Sequence, residues 1–145
     1  MFSLLNLQID NYKSMKFFVT LALFLLPLGV FAQQMSEEEQ AKKLAEAIEQ
    51  EVDHHAQNLD LEDWQIFYVD SILNTNYKGM MDELAVLNKS KVSNADLFVM
   101  AQDKWLEKTY VAFQKILNEE QWAKYLKSGA ARDKKARDKR EAKRK

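Results

Sequence analysis

Two stretches with the same spacing decide the fold of this chain: LEDWQ at residues 61–65 and LNEEQ at residues 117–121. Each consists of a Leu, three residues and a Gln, and each leads into a run that contains aromatic and other apolar residues. This is the pattern with which an amphipathic helix begins. The two copies therefore predict two helix starts of the same design. Their motif positions are Leu61 and Gln65 in the first copy and Leu117 and Gln121 in the second.

The second copy has the stronger capping residues. Asn118 is one of the best N-cap residues, and Gln121 stands at the third helical position, from which its side chain can reach back to the cap. The Leu before the cap is expected to pack on Trp122. In the first copy two residues compete for the cap position, because Glu62 is a weak cap and Asp60 is a better one.

The paired L-[TSN]-x-x-Q pattern resembles the LTxxQ family of small secreted helical proteins of the periplasm, which includes Spy-like chaperones and CpxP-like envelope-stress proteins. The resemblance covers about residues 59–127, and Glu62 and Asn118 stand where the family has Thr. It implies a helical, exported protein that binds other proteins without ATP. Relatives linked to heavy-metal resistance also belong to this group.

Residues 1–32 are predicted to be a secretory signal peptide. Lys16 supplies the positive charge, residues 17–28 form the apolar segment, and Ala32 ends a small-x-small-like cleavage site. Met15 is the alternative initiator. A transmembrane anchor is the competing interpretation, but about 15 apolar residues are short for one. We therefore expect a secreted, periplasmic product that does not span the membrane after cleavage.

The rest of the chain, residues 33–145, contains no Pro, no Cys and only two glycines, Gly79 and Gly129. The lack of Cys excludes disulfides and a lipid-modified Cys. With so few helix breakers, the predicted fold is all-α. We expect about four amphipathic helices in an antiparallel, hairpin-like bundle over residues 33–127, followed by a basic tail over residues 128–145.

Three further local predictions concern the helices. Ser36 is expected to cap the first helix in a capping box with Glu39, and Ser93 is expected to cap the third. Gly79 lies inside the second predicted helix. It either weakens that helix by about 1 kcal/mol or allows a neighbour to approach closely.

The aromatic residues of the second helix suggest a protein-binding surface. Trp64, Phe67 and Tyr68 together cover more than one face of a helix, so a single core cannot accommodate all three. Met80 and Met81 add adaptable apolar side chains of the kind found on promiscuous binding surfaces. These five residues are the protein-binding candidates. The excess of aromatic residues also favours a homodimer.

Charge divides the chain into an acidic body and a basic tail. Residues 33–127 contain 18 Asp and Glu against 10 Lys and Arg, a net charge of −8, whereas residues 128–145 contain 9 basic and 3 acidic residues, a net charge of +6. We expect the tail to be a fraying helix in solvent or an arm for an anionic partner, with no residue in a core. The partner would be an anionic envelope surface, an acidic protein or the chain's own acidic body. Nucleic acid is disfavoured by the leader and by the acidic body. The candidate residues are Arg132, Lys134, Lys135, Arg137, Lys139 and Arg140.

The sequence contains no pattern typical of catalysis or of cofactor binding. The chain is therefore predicted not to be an enzyme and to hold no cofactor. His54 and His55 are the only histidines, and Glu51 is the only carboxylate that lies three or four residues from either of them. Because adjacent histidines point about 100° apart on a helix, no metal site is expected. The alternative to a chaperone-like protein is a structural or regulatory envelope protein that binds a partner or an anionic surface through residues 130–145. A metal sensor built on His54, His55 and Glu51 is the weaker alternative.

Overall fold

The computed structural model of the protein describes residues 36–91 and 93–145. The predicted signal peptide lies outside these residues. The chain divides into two compact units, Met1–Ala47 and Ile48–Lys145. Residues 36–47, the described part of the first unit, contain the beginning of the first helix.

The described residues form helices and contain no strand, which confirms the predicted all-α fold. The described residues contain four helical segments, and the fourth is interrupted by a short π-helical stretch. Within residues 36–91 and 93–145, no helix is both long and apolar enough to cross a membrane. The elements are α1 (Glu37–Leu59), α2 (Asp63–Lys89), α3 (Ala95–Ile116), α4 (Glu119–Tyr125), the π-helical stretch (Leu126–Ala130) and α5 (Ala131–Arg144).

The predicted cap of α1 is confirmed and that of α3 is wrong by one residue. Ser36 Oγ accepts a hydrogen bond from the Glu39 amide at 3.2 Å, and the Glu39 carboxylate accepts one from the Ser36 amide at 3.2 Å. The cap of α3 is Asn94 instead of Ser93, and its side chain accepts from the Asp96 amide at 2.9 Å. Both residue types are strong caps, so local preference alone does not choose between neighbours.

Helices α2 and α3 run antiparallel and pack closely around a glycine. Asn76 Nδ2 donates to Thr109 Oγ1 at 3.0 Å, and Trp105 Nε1 donates to Glu83 Oε2 at 2.7 Å, so residue numbers rise along α2 as they fall along α3. The indole of Trp105 covers Gly79, where a Cβ atom would lie only 2.7 Å from Cζ3 of the ring. Gly79 therefore permits the close approach that was one of its two predicted roles.

The core of the second unit consists mainly of apolar residues from α1, α2 and α3, together with a few buried polar groups. The apolar core residues are Ile48, Val52, Leu59, Val69, Leu73, Tyr77, Met80, Leu84, Ala101, Phe113, Leu117 and Ala130. The buried polar residues are His55, Gln65, Gln121 and Arg137. Two of these four are the glutamines of the repeated motif.

Candidate functional site

The two motif glutamines meet in the core and hydrogen-bond to each other. Gln65 Nε2 donates to Gln121 Oε1 at 2.7 Å, and Gln121 Nε2 donates to Gln65 Oε1 at 2.9 Å. Both side chains are buried. We call this reciprocal pair the glutamine clasp. It joins the beginning of α2 to the beginning of α4.

Each glutamine also caps its own helix, as the sequence predicts. Gln65 Oε1 accepts from the Glu62 amide at 3.0 Å, and Gln121 Oε1 accepts from the Asn118 amide at 3.0 Å. Glu62 is thus the cap residue of α2, which settles the competition with Asp60. Asp60 instead adopts a left-handed conformation, with φ of 51°, in the connection between α1 and α2.

The remaining amide hydrogens of the clasp bond to backbone carbonyls of the connections. Gln65 Nε2 donates to the carbonyl of Ile116 at 2.9 Å, and Gln121 Nε2 donates to the carbonyl of Asp60 at 3.3 Å. The two glutamines are 56 residues apart in the chain, and so are the two carbonyl acceptors. The two motifs are therefore equivalent in structure as well as in sequence.

Three exposed aromatic side chains lie beside the clasp on α2. Trp64 is 49% exposed, Phe67 69% and Tyr68 50%. The ring centroids of Trp64 and Tyr68 are 6.1 Å apart and those of Phe67 and Tyr68 are 5.7 Å apart, both in edge-to-face geometry. Trp64 Nε1 donates to Glu62 Oε2 at 2.7 Å, which fixes the indole at the beginning of the helix. We call these three residues the aromatic patch.

The equivalent positions after the second motif are occupied by Glu120, Ala123 and Lys124. Lys124 forms ion pairs with Asp60 at 2.7 Å and with Glu120 at 3.3 Å, as expected of residues at a protein surface. The same local structure therefore forms without aromatic side chains at these positions. A capped helix start of this kind does not require aromatic side chains at these positions.

The two methionine candidates do not belong to the patch. Met80 is 1% exposed and lies in the core, so its prediction as a protein-binding residue is wrong. The reason is its helical register: Met80 falls on the same face as the buried Val69 and Leu73, not on that of Tyr68. Met81 is half-buried.

Trp122 is also half-buried, because it packs within a cluster of rings. Its ring lies 5.0 Å from that of Tyr110 and 5.4 Å from that of Tyr125. Phe113 lies 5.3 Å from Tyr125 and completes the cluster toward the core. The aromatic residue after the second motif therefore has a structural role.

The basic tail forms helix α5, and part of it is held by α3. Arg140 makes two hydrogen bonds to the Asp103 carboxylate, at 2.9 and 2.6 Å, and Arg137 makes two to Glu107 Oε2, at 3.3 and 3.2 Å. Lys134 lies 3.4 Å from Glu107. The pKa of Arg140 is raised by its hydrogen bonds to Asp103. Three anionic partners were predicted for the tail, and these contacts correspond to one of them, the chain's own acidic body.

One expectation about the tail is wrong. Arg137 and Ala130 are each only 8% exposed, although no residue of the tail was expected to enter a core. Arg137 is the larger exception. Its long stem is covered, its guanidinium lies 5.7 Å from the ring of Tyr110, and its charge is paired with Glu107. The acceptors Asp103 and Glu107 were missed from the sequence. Their spacing of four residues puts both carboxylates on one face of α3, as the spacing of three does for Arg137 and Arg140 on α5, and this is the signal that could have found them.

The two histidines occupy different environments. His55 is buried against the rings of Phe113 and Tyr125, at 5.2 and 5.8 Å, and its Nε2 lies 3.6 Å from Glu51 Oε1. His54 is half-buried, and its pKa is lowered by this burial and then by the neighbouring His55. The described residues contain no group of three or more metal-ligating side chains placed to hold an ion.

No protein-family model, curated protein or solved structure matches this chain. The resemblance to the LTxxQ family therefore stays a prediction that rests on the two motifs.

Proposed function

We propose that this protein binds partly unfolded proteins through the aromatic patch and keeps them from aggregating. The patch consists of Trp64, Phe67 and Tyr68 on α2. Binding would not require ATP, as the resemblance to Spy-like chaperones implies. The prediction of an exported protein is compatible with this role.

The observation that carries the proposal is the comparison of the two motifs. An exposed apolar patch of a few hundred square ångströms is common on monomeric proteins, so exposure alone indicates little. Here, however, the second motif forms the same capped helix start with Glu120, Ala123 and Lys124 at the equivalent positions. Because packing does not require aromatic residues at these positions, binding explains them better than folding does.

The chemistry of the patch suits an apolar and variable partner. Aromatic side chains offer a large contact area at a small cost in conformational entropy, and Trp and Tyr also have a polar group that tolerates water. Exposed carboxylates of Glu62, Asp63 and Asp70 flank the patch. Their charge would keep a complex with an unfolded client in solution.

The two motifs provide the variant that tests the proposal. The triple substitution Trp64→Glu, Phe67→Ala and Tyr68→Lys gives α2 the residues that α4 has at these positions, and it leaves the net charge unchanged. Because α4 already folds with these residues, we expect the variant to keep its helix content and its resistance to urea. The matched control is Val86→Gln, which removes another exposed apolar side chain of α2, 61% exposed, and also preserves the net charge.

The measurement is light scattering by a client that aggregates when it is diluted from denaturant. We expect the wild type and the Val86→Gln control to suppress scattering at equimolar amounts and the triple variant to lose most of this effect. Circular dichroism on each protein establishes that it is folded. Equal suppression by the folded triple variant, or no suppression by the wild type, would refute the proposal.

A further inference from the structure

Helix α5 has two faces with different roles. Its inner face, which includes Arg137 and Arg140, is held by Asp103 and Glu107 of α3. The neighbouring Arg144 lies 3.6 Å from Asp103. Arginines predominate on this face, as expected where a planar guanidinium can bind a carboxylate through two hydrogen bonds.

The outer face carries a straight row of exposed cations. The row comprises Arg132, Lys135, Lys139 and Lys143, at spacings of three, four and four residues, and all four are exposed. It extends over about 16 Å of helix, and the carboxylate beside it, Asp138, pairs with Lys134. In the part of the chain that the structure describes, the three lysines form no ion pair. Arg132 pairs with the adjacent Asp133, at 3.2 Å.

We propose that this outer row docks the protein onto an anionic lipid bilayer. The proposal is independent of the aromatic patch, because it concerns another helix and a different chemistry. The row lies along one line of a helix, so all four cations can approach one flat surface together. Lysine near an anionic bilayer contributes about 1 kcal/mol per residue without specific geometry.

A protein partner fits this face less well. Protein interfaces are built around buried aromatic and apolar residues, and lysine is depleted in them. Beside its cations, the outer face of α5 offers alanines and Asp138, which pairs with Lys134, and it has no large apolar residue. It therefore provides charge without an apolar centre, which is the composition that a headgroup surface requires.

The inner ion pairs give the row its geometry. An isolated helix of 14 residues is marginally stable in water, so α5 would fray if nothing held it. The contacts of Arg137 and Arg140 with α3 keep the helix formed. Residues 48–127 of the same unit contain 14 acidic and 8 basic residues, a net charge of −6, which restricts the approach of an anionic surface to the outer face of α5.

The test compares two sets of charge-matched substitutions in the full chain. The outer-row variant is Lys135→Gln, Lys139→Gln and Lys143→Gln, and Gln preserves helix propensity. The control is Lys78→Gln, Lys89→Gln and Lys91→Gln, which removes three exposed lysines elsewhere. Cosedimentation is measured with vesicles of phosphatidylcholine alone and with vesicles of phosphatidylcholine and phosphatidylglycerol in equal amounts. A parallel titration uses duplex DNA.

We expect the wild type to bind phosphatidylglycerol vesicles far more tightly than neutral ones, and to release them as salt is raised. The outer-row variant should bind about tenfold to a hundredfold more weakly, and the control should bind like the wild type. The proposal is overturned if the two vesicle types are bound equally, or if the outer-row variant binds like the wild type. An equal loss in the control would also overturn it, since net charge alone would then explain binding. Tight binding to DNA without binding to vesicles would assign the row to nucleic acid and would overturn it as well.

Discussion

The glutamine clasp makes a quantitative prediction about coupling. Replacing Gln121 with Leu preserves most of the side-chain volume but removes its bonds to Gln65, to the Asn118 amide and to the Asp60 carbonyl. The amide of Gln65 then remains buried and loses two of its four hydrogen bonds. Replacing Gln65 with Leu has the mirror-image consequence for Gln121.

The size of the effect follows from these bonds. A buried polar group left without its partner costs about 1–3 kcal/mol, and a lost cap costs about 1 kcal/mol. Each single substitution should therefore lower the free energy of unfolding by about 2–4 kcal/mol, a large part of the 5–15 kcal/mol typical of a domain. The double substitution leaves neither amide buried without its partner. It should cost less than the sum of the two single ones, by about 1–3 kcal/mol.

The assay is urea unfolding followed by circular dichroism on the wild type, the two single variants and the double variant. Each single variant should unfold at a midpoint lower by about 1–2 M urea, given the slopes usual for small proteins. Gln114→Leu, at an exposed position on α3, is the control and should change stability by less than about 0.5 kcal/mol. Additive effects of the two clasp substitutions would show that the glutamines do not stabilise each other, and the reasoning would fail.

Two other predictions concern the interior of the second unit. Gly79→Ala should lower the free energy of unfolding by about 1 kcal/mol despite the better helix propensity of Ala, because the new Cβ would overlap the ring of Trp105; a more stable variant in urea unfolding would contradict this. The second prediction concerns pH. Burial and then Glu51 raise the pKa of Tyr77, and burial also raises the pKa of Tyr125, so above about pH 10 these tyrosines lose their protons only in the unfolded state. The free energy of unfolding should therefore fall as pH rises above about 10. Urea unfolding between pH 9 and 11 should show a weaker pH dependence for Tyr77→Phe, and an unchanged dependence would exclude this cause.

The features predicted correctly from the sequence are local ones. The capping boxes of Ser36 with Glu39 and of Asn118 with Gln121 involve residues three apart, so their geometry depends on one helical turn. The reciprocal bond between Gln65 and Gln121 joins residues 56 positions apart, and no helical periodicity encodes such a distance. Each glutamine was therefore predicted as a cap, and their meeting was not.

The error at Met80 has a different origin. Residue type suggested an adaptable binding side chain, but helical register decides exposure. Met80 lies eleven residues after Val69, close to three full turns, and both are buried. Tyr68 lies about 100° away from Val69 around the helix and is half exposed. Its position around the helix separates Met80 from the aromatic patch, whereas the prediction grouped them by residue type.

The tail was misjudged because composition describes an average over both faces of a helix. Helix α5 contains no apolar residue larger than Ala, which indicates a fully solvated segment. Yet the arginine stem of residue 137 is long enough to be covered while its guanidinium reaches Glu107. Only the positions of the carboxylates on α3 separate the cations that α3 holds, such as Arg137 and Arg140, from those that it does not, such as Lys135 and Lys139.

The two proposed surfaces, the aromatic patch on α2 and the outer row on α5, lie in the segments that follow the two motifs, at places where these segments differ. After the first motif, α2 continues unbroken, buries Leu73 in the core and carries the aromatic patch on its exposed side. After the second motif, the position equivalent to Leu73 is Gly129, whose φ of 126° interrupts the helix before α5 begins. The same capping motif thus forms both helix starts, and the residues that do not take part in capping differ between the two segments. If binding is what selects the aromatic patch, placing the corresponding α4 residues on α2 should weaken client binding and leave folding unchanged, and the triple substitution measures this.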